Sequence, residues 1–144
     1  MVRAAALAVL LIAASPPPTA EWIKEHAPYG VDITPDGDSW VNANPVGRSD
    51  DYAIRVSDFQ RYLDMPSTSP VFWVRGYHAR NKTARYRTSK SQINIDCARQ
   101  TVQVRYWITY RADGTVYSSA HNYSVDPIIP GTDGEQWQKM VCAN

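Results

Sequence analysis

Side chains capable of chemistry are few in this chain, and they are scattered. His26, His78 and His121 lie far apart, and none stands at a tight spacing from a cysteine or carboxylate, so no metal site is expected. Ser118, Ser119 and His121 come nearest to a nucleophile beside a base. Strand alternation places Ser119 and His121 on one face with Tyr117 and Tyr123, no orienting acid accompanies them, and no nucleophile-elbow glycine pattern surrounds the serines. Asp50-Asp51 reads as a solvated turn rather than a paired acid site. No Gly-rich phosphate loop is present, and no cofactor is expected. These residues lead to the expectation of a protein that is not an enzyme.

A surface carries more. From residue 75 to 111 stand nine bases (Arg75, Arg80, Lys82, Arg85, Arg87, Lys90, Arg99, Arg105 and Arg111) against one acid, Asp96. Residues 21–74 hold nine acids and four bases. The block therefore either faces acids of the same fold or meets an external ligand. Strand alternation over 101–110 sets Val102, Val104, Tyr106, Ile108 and Tyr110 on one side, toward the core, and Gln103, Arg105, Trp107 and Thr109 on the other. Arg105 and Trp107 then lie beside strands carrying Trp73, Arg75, Tyr86 and Lys90. A guanidinium over an indole makes a planar, weakly hydrated patch for a carboxylate or a sulfated group. Interfaces also favour Trp, Tyr and Arg. The expected ligand-binding set is Trp73, Arg75, Tyr86, Lys90, Arg105 and Trp107, with a protein or an acidic or sulfated glycan as partner. The competing arrangement buries Trp73 and Trp107 under residues 21–66 in a second small core. Residues 21–144 carry 14 bases and 14 acids, so a nucleic-acid partner is not expected.

The compartment follows from the first residues. Arg3 supplies a charge, residues 4–14 are apolar, Pro16-Pro17-Pro18 breaks any helix, and Thr19-Ala20 ends on a small side chain. This order reads as a signal peptide over residues 1–20. The apolar run is shorter than the roughly 20 residues a bilayer requires. No cysteine follows it to take a lipid, and no later segment is apolar enough to span a membrane, so a periplasmic or secreted protein is expected. Cys97 and Cys142 are the chain's two cysteines, and two cysteines in an exported chain pair. Closing so long a loop stabilises the fold by about 4 kcal/mol in chain-entropy terms.

These residues need elements to hold them. Residues 21–66 are rich in Pro and Gly and read as an irregular N-terminal segment with room for one short strand, docked by Trp22, Ile23, Val31 and Ile33. Tyr52, Ile54 and Val56 suit a strand, and Ser57 can cap a turn through Phe59 and Tyr62. Residues 67–144, in one domain with that segment, read more clearly. Strands are expected over 71–78, 86–97, 101–110 and 115–123, the last two joined at Asp113-Gly114. Four sequential strands with short turns make an antiparallel meander. Thr132-Asp133-Gly134-Glu135 has capping-box spacing and opens a short helix bearing Trp137, Met140 and Val141 on one side. Cys97 shares the inward face of Ile93 and Ile95, so a bridge to Cys142 would pin that helix on the sheet.

Several of these features resemble a known family together. They are Val71-Phe72-Trp73-Val74-Arg75, the run 89–97 ending Ile95-Asp96-Cys97, a Tyr-rich strand before Asp113-Gly114, and Ile129-Pro130-Gly131-Thr132 leading to Val141-Cys142. Residues 70–144 resemble the surface-adhesin protein E-like family of small exported bacterial proteins. The resemblance implies an antiparallel sheet packed by a C-terminal helix and stapled by a disulfide, and a role in adhesion. The expected protein is thus an α+β domain acting as an exported, non-enzymatic, adhesin-like binding module. The second expectation is an envelope enzyme accessory protein or an inhibitor of another secreted protein.

Overall fold

A computed structural model describes residues 20–142, apart from 28, 36 and 46–48. The elements in chain order are α1 (Ala20–His26), β1 (Val31–Ile33), β2 (Ser39–Asn42), β3 (Asp51–Arg55), α2 (Val56–Asp64), β4 (Val71–Tyr77), β5 (Thr88–Asp96), β6 (Thr101–Tyr110), β7 (Val116–His121), β8 (Asp126–Pro127) and α3 (Asp133–Val141). The signal peptide expected over residues 1–20 falls outside the described residues, Ala20 excepted.

Strands β1 to β7 lie side by side in chain order, every pair antiparallel, and β8 returns to pair with β6. Antiparallel neighbours need only short connections, so a chain with turn residues every few positions can build a sheet this way. The meander expected over residues 71–123 is observed, and it is larger than expected. Residues 21–66 are not irregular: they supply α1, β1, β2, β3 and α2. Gly30, between α1 and β1, and Gly37, between β1 and β2, adopt φ of 88° and 84°, which a side chain would strain.

One face of the sheet carries the helices. Val41, Ile54, Phe72, Val74, Ile93 and Ile95 are buried there against Val56 and Phe59 of α2 and Val141 of α3. Trp22 and Ile23 of α1 pack on the same core, and Trp22 meets the Phe59 ring edge-on at 5.7 Å. Val31 joins them, whereas Ile33 points to solvent at 75% exposure and docks nothing. The strand expected through Val56 stops at Arg55. Its guanidinium donates to the buried Asp58 carboxylate at 3.1 Å from both Nε and Nη2, and the Trp73 backbone N–H donates to the same group at 2.9 Å. A carboxylate so satisfied can sit in the first turn of α2 and tie it to β4.

At α3, Trp137, Met140 and Val141 all pack on the core. Its entry differs from a reciprocal capping box. The Thr132 hydroxyl turns away to donate to the Ile129 carbonyl at 2.6 Å, and the Glu135 carboxylate accepts from the Gly131 backbone N–H at 2.9 Å. The Cys97–Cys142 disulfide, with Cα atoms 5.9 Å apart, fastens the far end of α3 to the end of β5.

One irregularity in β6 decides which side chains face where. Gln92 opposes Tyr106, but Ile93 opposes Val104, so Arg105 is an extra residue in a β-bulge. Val102 and Val104 face the helices, as expected. Beyond the bulge the phase inverts: Trp107 and Thr109 face the helices, and Tyr106, Ile108 and Tyr110 face the other way.

Candidate functional site

The helix-free face is the first candidate. Cross-strand pairing aligns Trp73 of β4, Gln92 of β5, Tyr106 of β6 and His121 of β7 in one row. Adjacent side chains in such a row touch directly. The Tyr106 ring stands edge-on to Trp73 at 6.4 Å and lies against His121 at 4.6 Å. Around the row is an open groove of about 740 Å³, lined also by Asn94, Gln103, Arg105, Asn122 and Tyr123. Arg105 is exposed because the bulge swings it out of the pleat. The Gln103 amide donates to the Asn122 carbonyl at 3.4 Å, and the Asn94 amide donates to Ser69 and Pro70. No carboxylate lines the groove. Aromatic faces, amides and one guanidinium can receive a polar chain carrying few negative charges.

The six residues expected to share one binding face do not all do so. Trp73 and Arg105 line the groove. Lys90 lies on the same face in the next recess, about 270 Å³, which shares the Trp73 wall. Arg75 is also on this face but only 4% exposed, with its guanidinium 5.3 Å from the Trp40 ring and 4.4 Å from the Tyr77 ring. It donates to Asp32 at 3.2 Å, while its Nε and Nη1 have no oxygen partner and lie against the rings instead. Arg75 therefore serves the interior, locking β1 over β4. Trp107 and Tyr86 lie on the helix side, where they line a different cavity. The expected placement of Trp107 opposite the core is overturned by the bulge. Neither tryptophan is covered in the manner of a second core built by residues 21–66: Trp40 fills that place, at 1% exposure.

That helix-side cavity is the second candidate. It has a volume of about 260 Å³ and is lined by Tyr86, Trp107, Trp137, His78, Ser89 and neighbours. His78 is buried in its floor, with Nδ1 2.6 Å from Asp50 Oδ1 and Nε2 2.8 Å from Ser89 Oγ. An ionised carboxylate can only accept, so Nδ1 carries the proton and Nε2 accepts from the Ser89 hydroxyl. The Asn81 amide donates to both Asp50 oxygens, at 3.1 and 3.0 Å. Asp50 is thus an anchored acid, not a solvated turn residue. Burial pushes its carboxyl up, but the bonds from His78 and Asn81 and the charge interaction with His78 outweigh this and hold it below the ordinary value. Burial, with Asp50, Asp133 and Tyr86 nearby, raises the Tyr52 hydroxyl, which stays protonated. Gly76 makes the arrangement possible: a Cβ there would sit 2.5 Å from Ser89 Oγ and 2.7 Å from His78 Nε2. The serine–histidine cluster considered from sequence is separated instead. Ser118 shares a hydrogen bond with Thr109 at 2.6 Å on the helix side, and His121 is in the groove.

Comparison with known families matches residues 38–143 to Surface-adhesin protein E. The chain belongs to that family. No curated protein and no solved structure gives a significant match. As a member of the surface-adhesin protein E family it is an adhesin-like surface protein, and the match begins ahead of β2, well upstream of residue 70. Among the described residues no helix is long and apolar enough to cross a membrane, and no group of side chains is arranged to hold a metal ion. The basic block of this family member is met within the fold by the acidic segment before it. Arg75 pairs with Asp32, Arg80 with Asp51 and His78 with Asp50.

Proposed function

We propose that the chain is a binding module of the bacterial envelope that holds an acidic glycan in the groove of its helix-free face. The supporting observation is the row Trp73–Gln92–Tyr106–His121 beside exposed Arg105. Sugar rings present C–H faces that stack on aromatic side chains and hydroxyls that pair with amides. Arg105, with no ion pair to a described carboxylate, suits a single carboxylate or sulfate on such a chain. Most of the groove's walls are strand side chains, which need little ordering on binding. Family membership supports a surface role of this kind without naming the ligand. The test is titration of the purified chain with sulfated and carboxylated oligosaccharides, followed by tryptophan fluorescence. Saturable binding is expected, weakened about tenfold or more by Trp73→Ala and by Arg105→Ala. Equal affinity in both variants, or no binding by the unaltered chain, would sink the reading.

A further inference from the structure

We propose that Ser89, His78 and Asp50 form a second functional site, a nucleophilic centre that accepts the acyl group of a small ester. It lies on the helix side of the sheet, away from the groove, so it stands or fails separately from glycan binding.

The geometry supplies the nucleophile, base and orienting acid of such a centre. The nucleophile and base are in hydrogen-bond contact, and the base and orienting acid are in contact on the other ring nitrogen. The Asp50 carboxylate dictates the tautomer in which Nε2 is free to take the Ser89 proton. Asn81 fixes Asp50 from behind, and the absence of a side chain at Gly76 leaves room for Ser89 and His78 to approach. A cavity opens in front of the pair. Its walls include Tyr86, Trp107, Trp137 and Val104, an apolar and aromatic lining that suits a short acyl or aryl group. The Trp137 indole Nε1 in that wall is buried and has no hydrogen-bond partner among the described residues. A buried N–H without a partner is costly, and it is relieved by an oxygen that gains negative charge, as a carbonyl oxygen does under attack.

The step balances with water alone. Ser89 Oγ bonds to the ester carbonyl carbon while its proton passes to His78 Nε2. The carbon–oxygen bond to the leaving group then breaks, and the departing oxygen takes that proton. Water, deprotonated by the same nitrogen, displaces the acyl group as a carboxylic acid and restores Ser89. A network that merely supported the sheet would show the same hydrogen bonds, yet its serine would have ordinary reactivity.

The full oxidised chain is incubated at mildly alkaline pH with p-nitrophenyl acetate and, separately, with a fluorophosphonate, and adducts are mapped by peptide mass. A single adduct on Ser89 is expected, absent from Ser89→Ala. Asp50→Asn should slow its formation by about 100-fold or more, because the amide leaves the histidine in the wrong tautomer. The proposal is overturned by no adduct on Ser89, by comparable labelling of exposed Ser57, Ser118 and Ser119, or by wild-type labelling of a folded Asp50→Asn chain. Mapping on the unaltered chain decides the matter even if Asp50→Asn fails to fold.

Discussion

At the scale of single residues, side chains of the same type have opposite fates here. Arg75 is held between two rings and an aspartate, whereas Arg105 reaches solvent from a bulge. Arg75→Ala removes packing as well as charge and should cost about 2 kcal/mol or more in urea unfolding, while Arg105→Ala should stay within about 0.5 kcal/mol. Equal losses would mean that Arg75 does not pack in the interior. Gly76→Ala drives a methyl group into Ser89 and His78 and should destabilise by about 1–3 kcal/mol in the same assay. Asp50 gives a pH dependence with a definite sign. Its folded-state pKa lies below the ordinary 3.8, so its contribution is complete above that value and is lost as pH falls through the lowered one. The stability gap between the unaltered chain and Asp50→Asn should therefore be full at neutral pH and close in stronger acid. A gap that stayed full in acid strong enough to protonate the carboxylate would contradict the assignment.

At the scale of elements, α3 shows how a marginal helix is kept. It spans nine residues, fewer than an isolated helix needs, so packing and the disulfide must hold it. Cys97→Ser should cost up to about 4 kcal/mol. Amide exchange should then show residues 133–141 losing protection before β5 and β6. Uniform loss across the sheet would mean that the bridge stabilises by another route. Elements also mark where sequence was legible. Strand β6 was read to its ends, since β-branched and aromatic residues fill it, yet half of it was assigned to the wrong face. The phase inverts at Arg105, where the backbone is not left-handed, so no glycine announces the bulge. Before residue 56, β3 was legible in the alternation of Tyr52 and Ile54, whereas β1 and β2 were hidden because three or four residues cannot establish a period and the turns between them dominate the pattern. Trp73 and Arg105, expected on one face from residue type, both line the groove. Tyr106 and His121 were not joined to them, because only register brings these strands' partners together. Asp50, His78 and Ser89 were missed for the same reason: 28 residues separate the first pair and 11 the second, and no local spacing encodes their contact.

At the scale of the whole molecule, charge is arranged to cancel across the sheet. The acidic N-terminal segment and the basic middle of the chain fold against each other, so 14 bases and 14 acids after residue 20 leave little net field. Asp32 and Asp51 neutralise Arg75 and Arg80 of the basic block in this way. Neutralising Asp32 and Asp51 together takes the balance after residue 20 from 14 against 14 to 14 against 12. The Asp32→Asn plus Asp51→Asn chain should elute from a sulfated-polysaccharide column at higher salt than the unaltered protein. Elution at the same salt would show that the acids do not screen the basic block.

The disulfide also keeps time. Synthesis proceeds from the N-terminus, and Cys97 is made well before its partner, 45 residues later. Every strand that flanks β5 and β6 exists by then, and the meander can assemble in the order in which it is made. The bridge cannot close until the last turn of α3 has been added. A chain interrupted anywhere between these cysteines carries an unpaired thiol at the end of a central strand, and a finished one carries none. Closure of the bridge therefore requires every element of the fold to have been made first, and a chain that stops short of residue 142 leaves Cys97 without its partner.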